Sequence, residues 1–417
     1  MSLIIDERDK FVKYKYAIAE FYIIINGVSY DFPIEKVTGF KIENYYEDAI
    51  FPIFKMNTVM EASRYYEIIE NKDNVKFKVR IQGYYTKNDS EIKSMSRDVV
   101  NEMFVIFTDE SNGDFEKDRK KISGTQKDKG ELEKNENEIE LFLFPEKIVT
   151  GLRSLYNGVI HNSNLATIVM YLLQLAGAKN VLMSPFDNTT VFDNIVLPPQ
   201  NIERQLRYLS NVYGFHESGT MMFFGLNKSY ILNCNGQCTA YDDNDTKETI
   251  IYILDANNPN SVASGSLIKY NDERNYINVS YQDISIDTTS ISSNVITGVD
   301  ADIVNVQTGE LTEVQIDTDT VGGKNNKGVI YNLNSNPYYD KIYASLKTAN
   351  SKILTIGIQD DNVLALTPNK NVSVVFESPS FNDEYKGNYR IASTVHIFTG
   401  ATDNFNIGTV VTLKKVD

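Results

Sequence analysis

Val75, Phe77, Val79 and Ile81 alternate with Lys76, Lys78, Arg80 and Gln82, and this pattern constrains the fold more than any other. A period of two puts every apolar side chain on one face, so the segment is read as a strand lying over a core. A one-residue slip would bury the lysines, so the register is specified as well. Related signals run through the chain. Ala17 to Ile25 and Phe40 to Tyr46 are strand-like, and Asn26-Gly27 marks a turn between apolar runs. Met103 to Phe107 and Ile139 to Phe144 follow, then Ile277, Val279 and Tyr281. A closing meander contains Leu354, Ile356 and Ile358; Val372, Val374 and Phe376; Tyr389, Ile391, Val395 and Ile397; and Val410 to Leu413. Polar turns such as Pro368-Asn369-Lys370-Asn371 and Lys386-Gly387-Asn388 separate these strands. Regular short strands of this kind favour barrels or sandwiches.

One stretch breaks the β pattern. From Leu165, apolar residues recur at helical spacing at Ile168, Val169, Leu172, Leu175 and Ala176; Asn162 or Ser163 is the expected cap and Gly177 the stop. Pro198-Pro199 sets an extended entry to a second helix, in which Ile202, Leu206, Leu209, Val212 and Tyr213 share a face and Gly214 occupies C′. Apolar strands Met221 to Phe224 and Tyr230 to Leu232 complete a compact α+β unit. The fold class expected is therefore mainly β (α+β), as barrels or sandwiches with an inserted two-helix module. The domains expected are 1–155, β with a charged loop at 108–138; 156–235, the module; and 236–417, a second β region ending in a meander. Loops or an extended arm are expected between Thr288 and Lys327, and a short helical run with Ile342 and Leu346 after Pro337.

Composition removes several function classes. The chain carries 41 Lys and Arg against 56 Asp and Glu, a net charge of −15, which argues against gripping nucleic acid through neutralised phosphates. No apolar run is long enough for a membrane-spanning helix. The N-terminus, with Glu7, Arg8, Asp9 and Lys10, lacks the ordered regions of a secretion signal, so export by the usual route is not expected.

Chemistry-bearing motifs are equally scarce. Gly322-Gly323-Lys324 lacks the earlier glycine and the Ser/Thr of a phosphate-binding loop. Cys234 and Cys238 have no neighbouring ligands to complete a zinc site. Asp242, Asp243 and Asp245, and separately Asp317 and Asp319, miss the ligand spacing of a calcium loop. His161, His216 and His396 are scattered, as expected of structural or surface histidines. No catalytic residue, cofactor or metal is expected, although carboxylate pairs for glycoside hydrolysis are permitted by composition.

The stretch from Asn164 to Leu232 resembles the baseplate hub family of phage tails. The resemblance is carried by Leu172-Leu173-Gln174-Leu175-Ala176-Gly177, the Asn180 to Asn188 segment, Leu197-Pro198-Pro199, and Tyr208 to Phe215 with its terminal Tyr213-Gly214-Phe215. Leu366-Thr367-Pro368-Asn369-Lys370 and Lys386-Gly387-Asn388-Tyr389-Arg390 are similar to the end of such proteins. The resemblance implies two tube-like β-barrel domains built partly from separated chain segments, 1–155 as the N-terminal one and 236–417 as a second barrel region whose meander completes the first. It also implies a homotrimeric ring that adapts a sixfold tail tube to a threefold central spike, with no enzymatic step. Implied partners are the tail tube or tube-initiator protein, the spike, the tape measure protein and baseplate wedge proteins. DNA would be met only in transit during genome ejection, without specific binding, and no membrane insertion is implied. The expected location is the virion tail baseplate, assembled in the host cytoplasm. The alternatives are a tail-associated cell-wall hydrolase and a carbohydrate-binding adhesin module.

Overall fold

A computed structural model describes residues 12–47, 51–87, 97–106, 136–178, 180–226, 228–233, 248–254, 274–280, 284–287, 301–305, 311–314, 328–332, 336–338, 353–359, 366–376, 384–399 and 406–416. The chain is mainly β, as its alternation requires. Fourteen strands form one sheet. Its first half contains β1 (Val12–Ile25), β2 (Val28–Asp31), β3 (Val37–Tyr45), β4 (Ile53–Glu61), β5 (Val75–Lys87), β6 (Arg97–Ile106) and β7 (Glu136–Pro145). Its second half contains β13 (Glu248–Leu254), β14 (Arg274–Ser280), β15 (Ile284–Asp287), β19 (Ile353–Gln359), β20 (Val372–Phe376), β21 (Gly387–Thr399) and β22 (Asn406–Lys415).

Two curls make up this sheet, and β21 belongs to both. The first runs β2-β1-β5-β6-β7-β4-β3-β21, and β1 comes round against β22. The second runs β14-β13-β20-β21-β22-β19-β15, with β14 lying near β19. No ladder closes either curl among the described residues; the ends meet through side chains. Tyr16 on β1, for example, packs edge-on against Phe398 on β21 at 5.4 Å. Phe398 stacks on Phe40 at 4.1 Å, and Phe54 links Phe40 to Phe104. These rings are almost fully buried, so the first curl is filled by side chains and holds no channel.

Local chemistry explains most of the pattern. Val75, Phe77, Val79 and Ile81 are buried at 2% exposure or less, and their basic neighbours face outward. Asn26 and Gly27 both adopt positive φ, 50° and 83°, as a two-residue hairpin turn twisted like its strands requires. The outward face pairs its charges: Arg80 across strands with Glu20 and Asp98 at 3.0 Å each, and Lys76 with Glu146 at the start of a short helix at 2.5 Å. Water screens such exposed pairs and they contribute little, while truncating a buried aromatic costs about 3–5 kcal/mol. Packing therefore decides the stability of the curl.

Several expectations need correction. The alternation read through Tyr389, Ile391, Val395 and Ile397 fails because a β-bulge between Ile391 and Ser393 inserts one residue. Past it, Thr394 and Phe398 point inward, and Ile397 is 37% exposed. The supposed arm between Thr288 and Lys327 contains two strands, β16 (Ala301–Asn305) and β17 (Leu311–Val314), which join β18 (Gly328–Asn332) in a separate three-stranded sheet. Strands of four or five residues carry too few alternations to register as a period. Helix α1 (Ala62–Glu70) was not expected. The charged loop, apart from 136–138 in β7, lies outside the described residues. So do both cysteines, the candidate calcium loops, Gly322 to Lys324 and the helical run at Ile342 and Leu346.

His396 on β21 pairs with Thr409 Oγ1 through Nδ1 at 2.9 Å, and burial pushes its pKa down to about 4. Burial lowers His216 as well. A histidine kept neutral by the fold takes up its proton on unfolding. Its contribution is thus complete above about pH 6.5 and is lost as pH falls toward 4. Part of His396 reaches the surface, so its share is discounted to about 1–2 kcal/mol. Urea midpoints are expected to fall between pH 7 and 4.5, and His396→Gln should flatten that decline. Phe104→Ala is expected to cost about 3–5 kcal/mol at pH 7 by the same measurement.

Candidate assembly surface

The inserted module has its own core beside the main one. It contains α2 (Glu146–Arg153), β8 (Tyr156–Asn164), α3 (Leu165–Leu175), β9 (Val181–Met183), β10 (Val191–Gln200), α4 (Ile202–Tyr213), β11 (Thr220–Phe224) and β12 (Ser229–Asn233). Strands β8 and β10 form a two-stranded ribbon, and β11-β12-β9 form a small sheet. The third helix, α2, was not expected. Its Gly151 leaves room for Ile202 of α4, whose Cγ2 would lie 3.6 Å from an added Cβ.

Both helices that were read from spacing are present, with altered details. Asn164, not Asn162 or Ser163, caps α3 by accepting from Thr167 N at 2.9 Å. Asn201 caps α4 in the same way, accepting from Arg204 N at 3.0 Å. Gly177 adopts φ +73° after α3; its N–H donates to Gln174 O and that of Ala178 to Leu173 O, the paired bonds of a glycine-terminated helix. Leu173 rather than Leu175 faces the core, and Leu175 is 52% exposed.

Five of the six motif residues are buried or half-buried in the module, and Pro199 is exposed. Leu197 is buried in β10, and Pro198 and Pro199 follow at an irregularity between Leu197 and Gln200 in a strand that pairs on one side only, where missing N–H groups are tolerated. Tyr213 sets its ring edge-on to Phe192 at 5.1 Å, and its carbonyl accepts from Asn188 Nδ2 at 2.7 Å. Phe215 is fully buried and stacks on Phe186 at 4.5 Å. Its carbonyl accepts from the backbone N–H of Asp187 at 3.0 Å and of Asn188 at 3.3 Å. Among the six, only Pro199 is classed as exposed.

Gly214 is the C-cap itself rather than C′, with φ 72° and ψ 123°, outside the left-handed helical region. The reason lies far along the chain. Asn336, 3% exposed, seats its side chain on this corner. Its Nδ2 donates to Ser210 O and Asn211 O at 3.3 Å each, and its Oδ1 accepts from Tyr338 N at 2.8 Å. An added Cβ on Gly214 would lie 2.2 Å from that Oδ1. Asn336 thus gives Asn211 O a partner at the helix end and adds a second donor to Ser210 O, which already accepts from Gly214 N. Spacing in sequence gave no sign of a contact across more than a hundred residues.

The module's outer surface is unusually apolar. Val159 and Val196, 49% and 55% exposed, stand directly opposite each other on the ribbon. Beside them His161 Nδ1 meets Asn194 Oδ1 at 2.5 Å. Along α3, Met170, Tyr171 and Leu175 are 44%, 54% and 52% exposed. With Ala166, Ala178 and Val181 nearby, Met170 and Tyr171 line an open groove of about 630 Å³. Among the described residues no cluster of three or more His, Cys, Asp or Glu could hold a metal ion, and no helix is long and apolar enough to cross a membrane. His216 is buried and pairs with Thr220 through Nδ1 at 3.0 Å. Asn336→Ala is expected to cost about 1–3 kcal/mol, chiefly through the lost donor to Asn211 O, and Gly214→Val more, with loss of the α4-to-β11 corner. Urea denaturation checks both.

Comparison with known proteins places the chain. A tail protein from Neisseria meningitidis is similar in structure, with a TM-score of 0.49, 11% identity, and 96% of each chain covered. The 43 kDa tail protein of prophage MuSo2 from Shewanella oneidensis gives 0.49 at 12% identity, covering 95% of this chain and 97% of that one. A prophage tail protein from Listeria monocytogenes gives 0.42 at 8% identity, covering 95% and 94%. No curated protein sequence matches the chain. A family model described as the Bacteriophage PBS1 gene 109 protein matches residues 7–416, and the chain belongs to that family.

Proposed function

We propose that this chain is a structural protein of a phage tail, the baseplate hub that joins the tail tube to the central spike. Membership in a phage protein family supports the viral setting. The observation that carries the hub reading is architectural: two barrel-like curls are fused through one strand, so a single chain stacks two tube-like elements as one unit. In this reading residues 1–155 and 236–417 supply the curls, and 156–235 the module between them.

Aromatic side chains fill the first curl, so a passage for tape measure and DNA must run between copies. Three copies, each with two curls, present six similar elements to a sixfold tube and a threefold set to a spike. Each copy carries −15, and a passage lined by that excess keeps phosphates from adhering. Wedge proteins would clasp the outside. The protein adapts and guides, with no reaction step, in a virion baseplate assembled in the host cytoplasm.

Light scattering on the purified chain tests the reading. The expected mass is three times the 47.3 kDa of one copy, with a threefold ring in electron micrographs. A chain that remains at 47.3 kDa both alone and with its spike protein overturns it.

A further inference from the structure

Between β15 and β19 the chain leaves the second curl and returns to it. Asp287, the last residue of β15, stands opposite Ile353, the first of β19, so the excursion begins and ends at one hairpin mouth. It carries β16, β17 and β18, which pair only with one another. Three strands of four or five residues bury little surface of their own, and such a unit gains from a fixed attachment. Among the described residues an attachment lies just after β18, where Asn336 and Tyr338 meet the Gly214 corner of the module.

Both halves of this contact are shaped for it. Asn336 Oδ1 accepts from Tyr338 N at 2.8 Å, which closes a turn across Pro337. The proline ring fixes its own φ, so little freedom remains to be lost on docking. The same amide group then offers Nδ2 to Ser210 O and Asn211 O at 3.3 Å each, at the negative end of α4. On the module side, Gly214 leaves the turn its space. An added Cβ there would lie 2.2 Å from Asn336 Oδ1 and 3.0 Å from Tyr338 Cδ2.

We propose that residues 336–338 are a latch, a preformed plug that docks the excursion of the second curl into the Gly214 corner and so holds the module to that curl. The latch lies within one copy and needs no ring. The module meets the first curl differently, through Lys147 with Glu102 and through ring pairs, Tyr46 with Phe223 at 4.7 Å and Phe51 with Phe224 at 5.6 Å. Neutral hydrogen bonds contribute less than buried ring packing. The latch therefore opens before the aromatic contacts do, and the module then turns on its first-curl side.

Hydrogen exchange on the full chain tests the latch, read at the corner (206–217), at β18 (328–332) and at the core strand β5 (75–81). Asn336→Asp keeps the acceptor for Tyr338 N and removes the donor to the two carbonyls. Gly214→Ala blocks the plug from the other side. Each is expected to speed exchange about tenfold at both the corner and β18, with 75–81 unchanged. The decisive reading is β18 after Gly214→Ala, because a purely local role for that glycine moves 206–217 alone, and that result overturns the latch. Unchanged exchange at both places also overturns it, as does an equal rise in all three segments, which marks general unfolding. Should Gly214→Ala fail to fold, Asn336→Asp decides: faster exchange at β18 with the corner still protected overturns the latch.

Discussion

Strand β21 is the constraint on which the rest of the structure depends. Its first residues pair with β20, its later residues with β3, and β22 runs along its other edge throughout. A strand saturated with backbone bonds on both sides has no edge left to fray. The bulge at residue 392 lets one strand serve two interiors. Before it, Tyr389 is fully buried and donates its hydroxyl to Tyr385 O at 2.6 Å. After it, Phe398 enters the aromatic core of the first curl. Without the extra residue, one of these side chains would face solvent.

Charge is handled locally around this framework. Glu43 on β3 is 5% exposed, and Lys41 and Lys55 meet its carboxylate at 2.6 and 3.2 Å. Burial alone would raise its pKa, but the two lysines together hold it below the usual value. Lys147 pairs with Glu102 and also donates to Leu226 O, joining the module to the first curl. Among the described residues these charges on the curls are committed to one another.

Sequence disclosed those parts whose cause is local. Period two located β5, β19 and β20, because one buried face imposes it, while β1, β3 and β7 were read as strand-like apolar runs. Helical spacing located α3 and α4, and Asn26-Gly27 announced its own turn. Long-range causes left no trace. The bulge in β21 made Val395 and Ile397 look like core residues. Leu175 seemed to continue an apolar stripe that Leu173 in fact supplies. Ribbon strand β8 has no alternation, and beside Tyr156, Val159 and Ile160 it is built of Asn157, Gly158, His161, Asn162, Ser163 and Asn164; it forms through its pairing with β10. The role of Gly214 was legible as a helix stop, but its occupant, Asn336, was not. Pro199 alone among the motif residues lies outside, so the recognisable motif sits in the construction of the module.

One pairing has an implication for synthesis. Asn44 on β3 donates to Thr394 on β21 at 3.0 Å, across 350 positions. The first curl therefore cannot be finished until β21 has been synthesised, and β3 must wait with one margin unzipped. A product terminated before β21 would lack that seam, so synthesis of this one strand licenses completion of the first curl.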